Sequence, residues 1–206
     1  MTRAWSLFGP ATYRTMPWKN GGGTTTELLV HPAGASIGGS RFIWRLSIAT
    51  VGANGPFSPF PGYDRTIMLI EGRGMTLDFG PNGVTRLDRV FEPFEFKGEW
   101  PADARLIDGP CQDFNVMVDR TRGGARTRVI ALDGRSVDTV ASGMTTVIFA
   151  LEGAIEAAAP PWLPPIALGR HALLRIDAAK DDDSPVPIAL ASQNPSRALQ
   201  IDLRWT

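Results

Sequence analysis

Glycine and proline interrupt this chain every few residues, with 22 Gly and 17 Pro among 206 positions. Glycine weakens a helix through its backbone entropy, and proline breaks one through its missing N–H and its ring. No interval between these interruptions sustains a helical hydrophobic period. What remains is a series of short β-rich runs: residues 42–51, 65–71, 75–79, 112–119, 145–152, 171–176, 186–191 and 197–205. Many short strands separated by turn signals predict an all-β sandwich or barrel. The nearest approach to a helical pattern, residues 153–159, is cut short by Pro160-Pro161.

The runs repeat. Residues 66–74 (TIMLIEGRG) resemble residues 146–154 (TVIFALEGA), each an apolar strand ending in Glu-Gly. Residues 113–120 (DFNVMVDR) resemble residues 198–205 (ALQIDLRW), at a similar distance from the first segment. Two copies of one β unit account for this, joined near the polar, Gly-rich residues 121–126.

Composition removes several function classes. Lys plus Arg equals Asp plus Glu at 21 each, so the formal net charge is zero. A nucleic-acid-binding surface needs an excess of cations to displace counterions, and none is present. No window approaches the roughly 18 apolar residues of a membrane helix. The first eight residues lack the apolar core of a signal peptide. Cys111 is the single cysteine, so no internal disulfide forms, and the expected location is the cytoplasm. Its neighbours Asp108 and Asp113 are acidic, which raises a thiol pKa and argues against a nucleophile.

Strand alternation sorts the polar residues. In residues 42–51, Phe42, Trp44, Leu46 and Ile48 share one face, while Ile43, Arg45, Ser47 and Ala49 share the other. In residues 112–119, Phe114, Val116 and Val118 oppose Asp113, Asn115, Met117 and Asp119. The mixed faces therefore carry Arg45, Ser47, Asp113 and Asn115. Pointing inward, they make a polar pocket in a barrel; pointing outward, they are ordinary solvated residues. Outward is the more common outcome in general, but small mixed residues beside apolar ones, as in Ser47-Ile48-Ala49 and Asn115-Val116-Met117, suit a lined interior somewhat better than a wet face.

The segment Met16-Pro17-Trp18-Lys19-Asn20-Gly21-Gly22-Gly23-Thr24-Thr25-Thr26-Glu27 concentrates a cation, a carboxamide, an aromatic ring and three glycines. Adjacent glycines are entropically costly, so they either bring backbone N–H groups to a small anion or let the chain pass tightly under a neighbour. Both uses stand open at this level.

These blocks resemble the HutD/Ves family of small bacterial β proteins. The resemblance is carried by residues 16–23 with Thr24 and Glu27, and by residues 42–49 with Trp44, Arg45 and Ser47. Gly55-Pro56-Phe57-Ser58, Phe60-Pro61-Gly62, Arg65, Gly72, Gly74, Gly109-Pro110 and Asp113-Phe114-Asn115 complete it. It implies a two-domain cupin, or bicupin, of RmlC-like jelly rolls, divided as residues 1–122, holding the pocket, and residues 123–206. It also implies an association with histidine utilisation, through a regulatory or ligand-sensing role toward a formylated or carboxylated intermediate.

The expected function is metal-free and cofactor-free binding or sensing of a small anionic metabolite. Trp18 and Phe57 supply walls, and Lys19 and Arg45 supply charge for a carboxylate. Asn20, Ser47, Ser58 and Asn115 orient the ligand, while Glu27 and Asp113 fix the cations. The alternative is a metal-free jelly-roll isomerase, hydrolase or lyase, with Lys19 as a buried base or Schiff-base amine and Glu27 or Asp113 moving protons. His31 and His171 are not in a His-x-His pair and have no second ligand at suitable spacing, so no metal site is expected. The Pro-rich residues 56–63 read as a rigid turn whose aromatics plug one barrel end. Residues 159–165 read as cover for a strand edge or a subunit contact, and Asp181-Asp182-Asp183 as a solvated loop. Cupins commonly pair through sheet edges, which leaves a homodimer open.

Overall fold

The computed structural model describes residues 4–35, 41–140, 143–178 and 185–206. The acidic triplet 181–183 lies outside the described residues. The chain opens with strand β1 (Ala4–Phe8). Ten strands follow: β2 (Arg14–Pro17), β3 (Gly23–His31), β4 (Trp44–Val51), β5 (Gly55–Pro56), β6 (Tyr63–Glu71), β7 (Met75–Asp78), β8 (Val84–Leu87), β9 (Pro93–Lys97), β10 (Asp103–Leu106) and β11 (Cys111–Asp119). The remainder forms β12 (Gly123–Leu132), β13 (Arg135–Val140), β14 (Thr145–Glu152), β15 (Ile155–Ala159), β16 (Leu163–Leu168), β17 (Leu173–Asp177), β18 (Val186–Ala191) and β19 (Ser196–Trp205). Among the described residues the only helical turns are short 3-10 pieces at Pro10–Thr12 and Gly80–Asn82. The weakly helical pattern at residues 153–159 is resolved as strand β15, whose buried Ile155, Ala157 and Ala159 alternate with Glu156 and Ala158.

The chain forms two compact units, residues 13–124 and residues 1–12 with 125–206. In the first, a six-stranded sheet in the order β2-β3-β4-β11-β6-β9 faces a four-stranded sheet in the order β5-β10-β7-β8. The apolar core joins Val51, Ile67, Leu69 and Cys111 of the larger sheet to Met75, Leu77, Leu87 and Ala104 of the smaller. Val51 and Cys111 stand on the same alternation as Arg45, Ser47, Asp113 and Asn115. The mixed faces therefore line the interior. Trp44, Leu46, Phe114 and Val116, on the opposite face, are also buried, so the central strands are covered on both sides. Each large apolar side chain so covered contributes roughly 1.5–3 kcal/mol.

The second unit has a five-stranded sheet, β1-β17-β14-β19-β12, and a four-stranded sheet, β13-β18-β15-β16. Ile148, Ala150, Leu174, Ile176 and Ala198 pack on Ile155, Ala157, Leu168, Ile188 and Leu190. Sequence division placed residues 1–12 with the first half; β1 instead pairs antiparallel with β17, Trp5 opposite Ile176 and Leu7 opposite Leu174. Pro164 and Pro165 lie in the edge strand β16, at the irregularity between the Ala157–Ile166 and Ala159–Leu163 pairs, a place where a sheet tolerates proline. Trp162 packs on the core of this unit.

The repeat is visible in the pairing. The order β4-β11-β6-β9 recurs as β12-β19-β14-β17. Both central pairs carry a bulge just before Glu-Gly: Asp113 and Gln112 face Leu69 and Glu71, and Ala198 and Arg197 face Ala150 and Glu152. Counting back from the bulge aligns Arg65 with Thr146, one residue away from the match suggested by the paired threonines. The same count aligns Asp113 with Ala198 and Asn115 with Gln200.

Candidate functional site

The interior face of the six-stranded sheet is organised in rows. One row runs Thr25, Ala49, Asp113 and Leu69; the next runs Glu27, Ser47, Asn115 and Ile67; a third runs Val30, Arg45, Met117 and Arg65. Three polar strands meet here because each alternates: β4 sends Arg45 and Ser47 inward, β11 sends Asp113 and Asn115, and β6 sends Arg65. All five side chains are buried.

The two arginines reach back to the Asn115 row. Arg65 Nη2 donates to Asn115 Oδ1 at 2.8 Å, and Arg45 Nε donates to Glu27 Oε2 at 2.7 Å. The Asn115 amide in turn donates to Asp113 Oδ1. A chain of contacts thus runs from Arg65 through Asn115 to Asp113, with the Arg45–Glu27 pair flanking it across Ser47. The guanidinium of Arg65 also lies 4.7 Å from the Phe96 ring centre and 5.5 Å from that of Phe60. Ring faces attract a cation, so the aromatics recover part of the solvation it loses.

The hydrogen bonding of this group is incomplete within the protein. Arg45 Nη2, Arg65 Nε and Asp113 Oδ2 are buried and have no protein hydrogen-bond partner. Buried polar groups are otherwise paired in folded proteins, so three on one interior face are a chemical signal. Burial pushes the Asp113 carboxyl up to about 7, against the opposing pull of Arg65 and the Asn115 hydrogen bond. Burial also lowers Arg65 to about 10, and Asp113 offsets part of that effect. Arg65 remains a cation at neutral pH. The Cys111 thiol is pushed up to about 11, first by burial and then by Asp113, so burial outweighs the acidic neighbours that the sequence emphasises.

The other residues singled out in the sequence lie differently. Trp18 and Phe57 meet edge-to-face at 5.8 Å and pack on the interior core. Trp18 Nε1 donates to Thr25 Oγ1 at 2.7 Å. Lys19, Asn20 and Ser58 are exposed. The glycine run is used for close passage. A Cβ on Gly23 would stand 2.3 Å from the Thr50 carbonyl oxygen and 3.1 Å from the Trp18 ring. The N–H groups of Gly21 and Gly22 are taken up inside the loop by Trp18 O and Asn20 Oδ1. In residues 56–63, Phe60 meets Tyr63 edge-to-face, and the Tyr63 hydroxyl donates to the Phe42 carbonyl oxygen at 2.8 Å.

Sequence reading missed Arg65 as a site residue. It grouped Arg65 with the family blocks without assigning it to a face. The signal was present, since Arg65, Ile67 and Leu69 alternate as an inward set. In the second unit the aligned positions are Thr146, Gln200 and Ala198. Thr146 donates to Asp202 at 2.7 Å, and Gln200 donates to the Thr139 carbonyl oxygen at 3.1 Å. The arginine and carboxyl of the first unit have no counterpart there.

The cupin fold is often a metal scaffold, but these residues do not suit one. Among the described residues no three His, Cys, Asp or Glu side chains cluster to hold an ion. Two guanidiniums on the interior face repel a cation. His31 stacks on Trp44 at 5.4 Å and His171 on Phe149 at 5.6 Å.

The profile of the HutD family matches residues 10–194. The chain belongs to the HutD family. Relatives of this chain include an uncharacterised 21.2 kDa protein in the hutC 3′ region of Pseudomonas putida. It is 38% identical over 146 residues, covering 70% of this chain and 72% of the relative. Protein Ves of Citrobacter koseri is 37% identical, covering 68% and 71%. HutD from Pseudomonas fluorescens SBW25, solved in a formate condition, matches with a TM-score of 0.81 and 32% identity over 98% of this chain and 100% of that one. Vicilin from hazelnut, at 10% identity and a TM-score of 0.59, shares the cupin-like fold alone. No helix among the described residues is long and apolar enough to cross a membrane.

Proposed function

We propose that the first unit binds a small carboxylate-bearing metabolite inside its barrel, and that the protein acts as a sensor or carrier of that ligand. The observation carrying this reading is the set of three buried polar atoms without protein partners: Arg45 Nη2, Arg65 Nε and Asp113 Oδ2. Guanidinium N–H groups match a carboxylate in geometry and charge, and such charge-assisted bonds are short and strong. Phe96, Ile67 and Leu69 belong to the apolar core beside these groups, and small-ligand sites are usually mostly apolar with a few convergent polar groups. Of the residues assigned to the site from sequence, Glu27, Arg45, Ser47, Asp113 and Asn115 carry the reading. Trp18 and Phe57 serve as wall, and Arg65 joins them. Exposed Lys19, Asn20 and Ser58 would serve only at the approach to the barrel. A link to histidine utilisation is supported by the HutD name of one relative and the hutC-region location of another. The enzyme alternative requires a buried Lys19, and that side chain is exposed.

Titration calorimetry with formate, acetate, succinate and an N-formylated α-amino acid tests the reading. Binding by at least one is expected, with R45A and R65A each weakening it by about tenfold or more. Absence of binding by the whole panel, at acidic as well as alkaline pH, would overturn it.

A further inference from the structure

Arg45, Arg65, Glu27 and Asp113 are the charged side chains gathered around the Asn115 row. Cys111 and Tyr63 also titrate on this face; burial raises both, and both remain neutral through the physiological range. The opposing strands contribute Met75, Leu77, Leu87 and Ala104, none of which titrates. On β9, Phe94 and Phe96 face the group. At the far end of β11, Asp119 is committed to Arg41 at 3.0 Å and to the Thr121 hydroxyl at 2.7 Å.

With Asp113 ionised, two cations and two anions balance, and a carboxylate ligand would add an uncompensated buried negative charge. With Asp113 protonated, the group carries one net positive charge, and a single carboxylate neutralises it. Buried charge without compensation is expensive, so the second arrangement is favoured when an anion enters. The hydrogen bonding agrees. Asp113 Oδ1 already accepts from Asn115, whereas Oδ2 is buried and has no protein partner. As a hydroxyl, Oδ2 becomes a donor suited to an anionic oxygen; as a bare oxygen it repels one.

We infer that Asp113 meets the bound anion as a protonated carboxyl, so that the protein takes up one proton with each carboxylate it holds between Arg45 and Arg65. This rests on the carboxylate-binding reading above and adds a regulatory consequence, release of the ligand as pH rises. Asp113 is thereby a specificity determinant: it favours a singly charged carboxylate group over a buried dianion such as phosphate, which would leave one negative charge unpaired.

The test is calorimetry of the whole protein with formate and with acetate, which stay monoanions throughout, in two buffers of different ionisation enthalpy. Binding is expected to be at least about tenfold weaker at about pH 8.5 than at about pH 5.5, with close to one proton taken up per carboxylate at the higher pH. D113N should abolish both the slope and the proton uptake. Difference infrared spectroscopy on the wild-type protein at alkaline pH gives an independent readout, a protonated-carboxyl C=O band that appears with ligand. It decides the matter even if D113N does not fold. Carboxylate binding with one affinity across this range, no buffer-dependent heat and no such band would overturn the inference while leaving the binding site standing. Failure of every carboxylate at every pH would instead overturn the site itself.

Discussion

Asp113 places a carboxyl where burial opposes ionisation, and that fixes how the empty protein responds to pH. Its folded value of about 7 lies above the ordinary 3.8, so the native state holds this proton more tightly between those values. The stability contributed by the neutral carboxyl is complete below the unfolded value and is lost as pH rises through about 7. In the ligand-free protein, D113N should therefore gain on the wild type by on the order of 2 kcal/mol as pH goes from about 5 to about 8. Parallel melting-temperature curves against pH would contradict this. Gly23 makes a different demand, of space. Its approach to Thr50 and Trp18 leaves no room for a methyl group, and G23A should cost about 2 kcal/mol in chemical denaturation. Alternation along two strands made Arg45, Ser47, Asp113 and Asn115 legible as a set before any coordinates. It did not reveal which face turned inward, because that depends on packing against β7, β8 and β10, far away in sequence. Lys19 stood out in the sequence through its neighbours, yet neighbours along a loop do not determine burial.

At the scale of elements, the Glu-Gly turn is the device both units share. Gly72 has φ +90° and Gly153 φ +73°, in the left-handed region that favours glycine. A Cβ on Gly72 would meet the Pro110 carbonyl oxygen at 2.7 Å, and one on Gly153 would meet Ser196 Oγ at 2.2 Å. Each glycine thus lets the bulged strand press against the start of its partner, β11 or β19, where a bulge adds local twist. G72A should loosen the first unit and G153A the second, each by about 2–3 kcal/mol. Hydrogen exchange resolved by segment checks this, and uniform loosening across both units by either variant would contradict it. The strands with strong apolar patterning were legible in sequence. Short strands such as β2, β5, β8 and β10 were not, because tertiary pairing rather than their own composition makes them strands. Residues 153–159 illustrate the same point, since the alanines of β15 suit a helix until β16 and β18 pair with them.

At the scale of the molecule, the chain leaves one unit after residue 12 and returns to it at residue 125. The β1 strand covers the edge of β17 with Trp5 and Leu7 still partly exposed. Removing residues 1–12 should expose the β17 edge, weaken protection within residues 125–206 and spare residues 13–124, as followed by hydrogen exchange. Equal loss in both units would show that the strand serves some wider purpose. This threading also dictates an order of assembly at the ribosome. The β1 residues must wait, unpaired, while the whole unit of residues 13–124 is synthesised and folds behind them. Only when translation has passed Asp177 can β1 meet its partner β17. Completion of the second barrel is therefore a late event, and a nascent chain stalled before that point would carry a finished first unit and a loose β1 strand.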